Sequence, residues 1–286
     1  MVVQSKDLKA GKKREKRKGR FGRIFFAVFL WSVLLITYLP VLMLVVFSFS
    51  ETRGMSFENF EFGFDLWRRL FAHPRYMEAL RNTVLVALAA AGLATIIGTM
   101  GCVGILQMKP RSRDAVMSVN HIPKINAAIV TSFALMLAFV GTLGFLGWGP
   151  MRLVLAHMVL CVPVVVLAVL PRLQQIDKNM FEAATDLGAR PIYAFVTVLI
   201  PQLMPAMVTG FLLGFTLSLD DFIVTQYNNS GIPTISTITF QAAQFGIPPQ
   251  FRALSTLMFA IVIVLLVIYN ILMYRKRKKT KQGGVR

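Results

Sequence analysis

"NMFEAATDLGARPIYAFVTVLIP", residues 179–201, lies between two apolar blocks long enough to cross a bilayer, yet is too polar to sit in lipid itself. Met180, Phe181, Ala184 and Leu187 recur at helical spacing and would form one apolar stripe. Glu182, Asp186 and Arg190 stand four apart on another face. Asp186 and Arg190 can pair there, while Glu182 meets the positive end of the helix dipole. Gly188 suits a helix end, and Pro191 pushes Arg190 out of helical geometry. Pro191 then opens a second helix, PIYAFVTVLI, that leads to Pro201. The stretch therefore predicts a short amphipathic helix, a bend and a second helix. Its stripe must be buried in lipid, in a helical bundle or in another protein, and periodicity alone does not choose among them.

The flanks narrow the setting. The chain has 286 residues and is 56% hydrophobic, and its apolar residues come in long blocks. About 20 consecutive apolar residues span the hydrocarbon of a bilayer as a helix. Six blocks meet that length, near 24–48, 82–106, 126–148, 151–171, 203–225 and 253–274. Internal Gly98, Gly101, Gly104, Pro163 and Gly214 are compatible with membrane helices, where neighbouring helices re-satisfy the backbone. The expected fold class is all-α, a polytopic membrane protein with six transmembrane helices.

The net charge of +18 raises nucleic acid as a partner, but the distribution of charge excludes it. Ten Lys/Arg precede the first span, seven follow the last, and the segments 107–125 and 172–202 carry four and three. The alternate segments hold seven of the 31, five of them in 49–81, with Arg152 and Arg252. Cytoplasmic loops carry the Lys/Arg excess, so both termini and residues 179–201 are expected in the cytoplasm. The basic tails, 1–23 and 275–286, are suited to anionic lipid headgroups. The apolar stretch from Ile24 to Phe49 is too long for a cleaved signal and reads as a retained first helix. In the segment 49–81, paired arginines and aromatics predict a short helix at the outer surface, with Trp67 and Tyr76 at headgroup level.

Other chemistry is sparse. Cys102 and Cys161 fall inside predicted spans without metal-ligand spacing, and no metal site is expected. His121 and His157 stand alone, and His157 is expected to be satisfied by a backbone carbonyl. No GxxxxGK[ST] phosphate loop exists, so the chain is not expected to hydrolyse ATP. Of 13 acidic residues, only Asp220 and Asp221 fall within a predicted span, in GFLLGFTLSLDDFIVTQY. A charge in the bilayer costs on the order of 3 kcal/mol and normally faces a cavity or a partner, unless it snorkels to the interface. On a helix the two carboxylates would diverge by about 100°, so at most one faces a path squarely. Phe215, Phe222 and Tyr227 offer aromatic faces nearby, and carboxylates with aromatic faces suit an ammonium substrate.

EAATDLGARPIYAFVTVLIP resembles the EAA loop of type I ABC importer permeases, through Glu182, Ala183, Ala184, Gly188, Val198, Ile200 and Pro201. The resemblance implies the type I permease fold, with a core over 76–274 preceded by a first helix and external loop over 24–75. It implies that the short helix is a coupling helix that docks on an ATPase subunit, through Glu182, Ala183, Ala184, Gly188 and Pro201. It also implies a bacterial inner-membrane location, a second permease subunit, and a periplasmic solute-binding protein. ATP and Mg would reside on the ATPase, and this chain would carry no cofactor of its own. SLDD at 218–221 is similar to the second permease of spermidine/putrescine importers, which implies a pathway lined by Asp220, Asp221, Phe222 and Tyr227. A permease for another small solute is the alternative. An ion-driven secondary transporter would instead favour inverted repeats, and none is evident.

Overall fold

A computed structural model describes residues 3–50, 60–125, 128–142, 144, 149–177, 179–229 and 231–283. Among the described residues, regular secondary structure is helical apart from one isolated bridge, Ser50 to Phe62. The described α-helices are, in order, α1 Val3–Phe47, α2 Asp65–Ala72, α3 Pro74–Gln107, α4 Pro110–Ile125, α5 Ala128–Gly141 and α6 Pro150–Gln174. Then come α7 Asn179–Asp186, α8 Pro191–Ala194, α9 Ile200–Asp220, α10 Ile223–Asn228, α11 Ile235–Phe245 and α12 Gln250–Gly283. A π turn over Phe195–Leu199 joins α8 to α9 without a break.

Helices α3, α6 and α9 form the centre of the bundle. On α3 the buried residues Ala87, Ala91, Ala94, Gly98 and Cys102 recur every three or four positions, so one face is built almost wholly of small side chains. Such faces let membrane helices approach closely, which replaces the hydrophobic drive that lipid does not supply. Val165 of α6 wedges between two glycines. A Cβ on Gly98 would lie 2.9 Å from Val165 Cγ1, and one on Gly210 would lie 3.3 Å from Val165 Cα. Gly214 admits the Cys161 side chain in the same way, and the Cys161 thiol donates to the Gly214 carbonyl at 3.2 Å. Both cysteines are therefore packing residues.

Among the described residues, five helical stretches are long and apolar enough to cross a membrane: Phe25–Phe47, Pro74–Gln107, Pro150–Gln174, Pro191–Asp220 and Gln250–Ile271. The third expected span, 126–148, is described in part. Its described part is the apolar helix Ala128–Gly141, 14 residues. The preceding stretch 107–125, expected as a loop, is largely the helix α4, and the Asn120 amide reaches the Pro163 carbonyl of α6 at 3.4 Å. Residues 126–127, 143 and 145–148 of the expected span lie outside the described residues.

At the end of α3 remote from α7, α2 packs across α11 and the start of α12. Leu66 and Leu70, four apart, are buried with Ala79, Ile235, Ile238 and Phe251. Trp67 and Tyr76 pack onto this cluster, with Trp67 stacked on Phe49 and Tyr76 edge-on to Phe251. Both aromatics pack here because the i,i+4 leucine pair of α2 finds an apolar crevice in the bundle. Residues 51–59 of the expected outer segment lie outside the described residues. The Arg69–Asp65 ion pair on α2 is exposed on both sides and adds little stability.

Three bonds fasten the start of α11 to α3. Thr83 Oγ1 accepts from Ile235 N at 2.9 Å, Asn82 Nδ2 donates to Pro233 O, and Arg75 Nη2 donates to Gln241 Oε1, both at 3.0 Å. Thr234 and Thr237 add a reciprocal cap. Helix α1 packs along α12, and its residues 25–40 are exposed and almost entirely apolar.

Candidate functional site

Two regions, at different levels of the bundle, hold the residues singled out in the sequence. The first is α7 and its exit. The Asp177 carboxylate accepts from Asn179 N at 3.0 Å and starts the helix. Two bonds end it, Gly188 N to Thr185 O at 2.9 Å and Ala189 N to Ala184 O at 3.1 Å. Gly188 sits at φ +88°, so this is a Schellman closure around a left-handed residue. The closure ends the helix before Arg190, which places Asp186 and Arg190 on different segments, and they form no ion pair.

The expected single stripe is divided. Phe181 and Ala184 are half-buried, whereas Met180 and Leu187 are exposed, Leu187 at 89%. Phe181, Glu182, Phe195, Leu199 and Arg113 line a cleft of about 710 Å³. Glu182, Ala183 and Gly188 lie on the surface, and Leu187, Ile192 and Tyr193 form an apolar patch at the bend. Of the five coupling candidates, four therefore sit on α7 and its cap.

Pro201 sits apart and acts on the backbone. A proline has no N–H, and its ring collides with the carbonyl four residues earlier, here Thr197. The chain widens instead, and Ile200 N bonds to Phe195 O, five residues back.

The second region is an elbow between α9 and α10. The expected span 203–225 stops at Asp220, and Asp221 is extended, at φ −73° and ψ 107°. The two aspartates are thus not consecutive helical positions, and the 100° separation does not apply. Asp220 ends α9 with an exposed side chain. Asp221 is half-buried, and its Oδ1 accepts from Val224 N at 2.6 Å, which caps α10. Phe222 stacks on Phe240 of α11, with ring centroids 4.2 Å apart and planes at 22°. Tyr227 meets Phe133 edge-on at 6.1 Å. Phe215 is 2% exposed, packed against Ala87, Ala91 and Leu219, and is a core residue rather than a lining one.

His157 of α6 is buried beside the elbow. Its Nε2 lies 2.9 Å from Thr225 Oγ1 and its Nδ1 lies 2.9 Å from Ser218 Oγ. Hydroxyls of two other helices satisfy it, not the expected backbone carbonyl. Thr225 Oγ1 also donates to the Asp221 carbonyl at 2.8 Å. The partners of His157 and the contact of Phe240 gave no sequence signal, because they lie 61 or more and 18 residues away respectively. Among the described residues no group of three His, Cys, Asp or Glu could hold a metal ion.

The sequence profile of the family described as "Binding-protein-dependent transport system inner membrane component" matches residues 95–282. The chain is 32% identical over 249 residues to the spermidine/putrescine transport system permease protein PotC of Haemophilus influenzae, covering 85% of this chain and 94% of that one. It is 30% identical to the putrescine transport system permease protein PotI of Escherichia coli, covering 85% and 88%. Among solved structures, a bacterial ABC transporter involved in the import of the acidic polysaccharide alginate superposes with a TM-score of 0.67 at 16% identity, covering 92% of this chain and 98% of that one. An amino acid ABC transporter superposes with a TM-score of 0.52 over 74% of this chain, also at 16% identity. These two likenesses concern the fold.

Proposed function

The chain belongs to the family of binding-protein-dependent transport system inner membrane components, the permeases of ABC importers, and from that premise we propose that it carries polyamines inward. One observation carries the substrate reading: a helix that breaks in the bundle wall, with an exposed carboxylate at Asp220 and stacked aromatic rings at Phe222 and Phe240 beside it. Polyamines are flexible chains bearing several ammonium groups. Each ammonium is attracted to a carboxylate and to the face of an aromatic ring. The names of the relatives PotC and PotI support the same class. A permease for another small solute remains the alternative.

In this proposal a separate ATPase subunit binds ATP and Mg and docks against α7, Leu187, Ile192 and Tyr193. A second permease subunit completes the path, and a periplasmic solute-binding protein delivers the substrate at the α2–α11 end. The Lys/Arg distribution supports placing α7 and both termini in the cytoplasm.

Purified complex in proteoliposomes, supplied with binding protein, is expected to accumulate labelled putrescine or spermidine only when ATP is available to the ATPase. Accumulation of neither amine, with ATP still hydrolysed, would remove the substrate assignment and leave the family membership standing.

Orientation has its own measurement. Alkaline phosphatase fused after Arg286 is expected to be inactive, and an active fusion would invert the proposed topology.

A further inference from the structure

The hydrogen bonds around His157 fix its tautomer. Thr225 Oγ1 lies within bonding distance of both the Asp221 carbonyl and His157 Nε2. A carbonyl only accepts, so the single hydroxyl proton of Thr225 goes to it. Nε2 must then carry the ring hydrogen and donate to Thr225. Nδ1 is left as the acceptor and receives the hydroxyl of Ser218. Both ring nitrogens are used, in a side chain that is 2% exposed.

The two hydroxyls stand on either side of the elbow. Ser218 is in the last turn of α9, and Thr225 is in the first turn of α10. A helix break inside a membrane frees backbone groups that lipid cannot satisfy. Here the Asp221 carboxylate takes the Val224 N–H and the Thr225 hydroxyl takes the Asp221 carbonyl. His157 lies seven residues into α6, about 10 Å from its start, and α6 belongs to the packed centre of the bundle. We infer that His157 is a positioning residue: by holding Ser218 and Thr225 together it keeps the chain broken at Asp221 and fixes where Asp220 presents its carboxylate. The functional consequence rests on the proposal that Asp220 lines the substrate path, whereas the geometric one does not.

The test uses the whole complex in proteoliposomes, with Asp220→Cys as a reporter for a cationic, membrane-impermeant thiol reagent. The natural Cys102 and Cys161 are both buried. His157→Phe keeps a ring and removes both bonds. It is expected to change the labelling rate at position 220 about tenfold and, in the chain with Asp220 intact, to raise KM about tenfold at nearly parental maximal rate. His157→Gln retains a donor and an acceptor and should recover most of the KM. Thr225→Val should reproduce the effect of His157→Phe without adding to it in the double variant.

Unchanged labelling and unchanged KM in an assembled His157→Phe complex overturn the inference, as does full additivity with Thr225→Val. Should His157→Phe fail to assemble, Thr225→Val alone decides by the same two readouts. If Asp220→Asn transports normally while labelling still responds to His157→Phe, the path reading fails and the positioning role stands. If Asp220→Asn impairs transport and labelling does not respond, only the positioning role fails.

Discussion

Gly188→Asp will reduce nucleotide-driven uptake by ~100-fold or more, equivalent to losing roughly 3 kcal/mol of productive docking, while the protein still inserts in the membrane. Gly188 occupies φ +88°, a region that costs other residues about 1–2 kcal/mol. Its N–H and that of Ala189 close α7 onto Thr185 and Ala184. A side chain there strains that closure and moves Leu187, Ile192 and Tyr193, the exposed apolar groups at the bend. Aspartate adds a charge to a surface proposed to meet the ATPase. Gly188→Ala carries the strain without the charge and should fall between. Glu182→Lys should match Gly188→Asp, because it reverses the charge on the exposed face of α7. The measurement is uptake alongside ATPase activity of the assembled complex. Parental uptake in Gly188→Asp would dismiss α7 as the coupling element.

Asp220→Asn is expected to lower polyamine transport at least ~10-fold, about 1.4 kcal/mol, with assembly intact. The substitution keeps the shape and removes the charge. Because the side chain is exposed at the end of α9 and caps no helix, nothing structural should be lost. Asp221→Asn is a different experiment. Its carboxylate accepts from Val224 N at 2.6 Å, and asparagine preserves that acceptor. It should therefore have the smaller effect, whereas Asp221→Leu should also destabilise the elbow. Both aspartates are to be compared at saturating binding protein, so that delivery does not mask translocation. If Asp220→Asn carries putrescine and spermidine at the parental rate, the carboxylate is interfacial and the cationic-substrate reading falls.

The elements legible from sequence were those whose signal is local. Long apolar blocks, the Gly188 helix end and the proline-started second helix each depend on neighbours within a few residues, and each appears where its residues dictate. Family membership was legible for the same reason, because the EAA stretch is contiguous. What was missed depends on distant contacts. The elbow at Asp221 falls inside a predicted span and is stabilised by His157, more than 60 residues earlier in the chain.

The π turn at Phe195–Leu199 has a consequence for how this chain can vary. Each residue of an ordinary helix turns the chain by about 100°, so inserting one residue between Gly188 and Pro201 would rotate every lining position of α9 relative to α7. Deleting one would unwind the wide turn, and Pro201 would then strike the carbonyl that the extra residue now clears. The segment can therefore exchange one apolar side chain for another, but it cannot change length. It serves as a fixed-length phase spacer, in which an indel is far more damaging than a substitution.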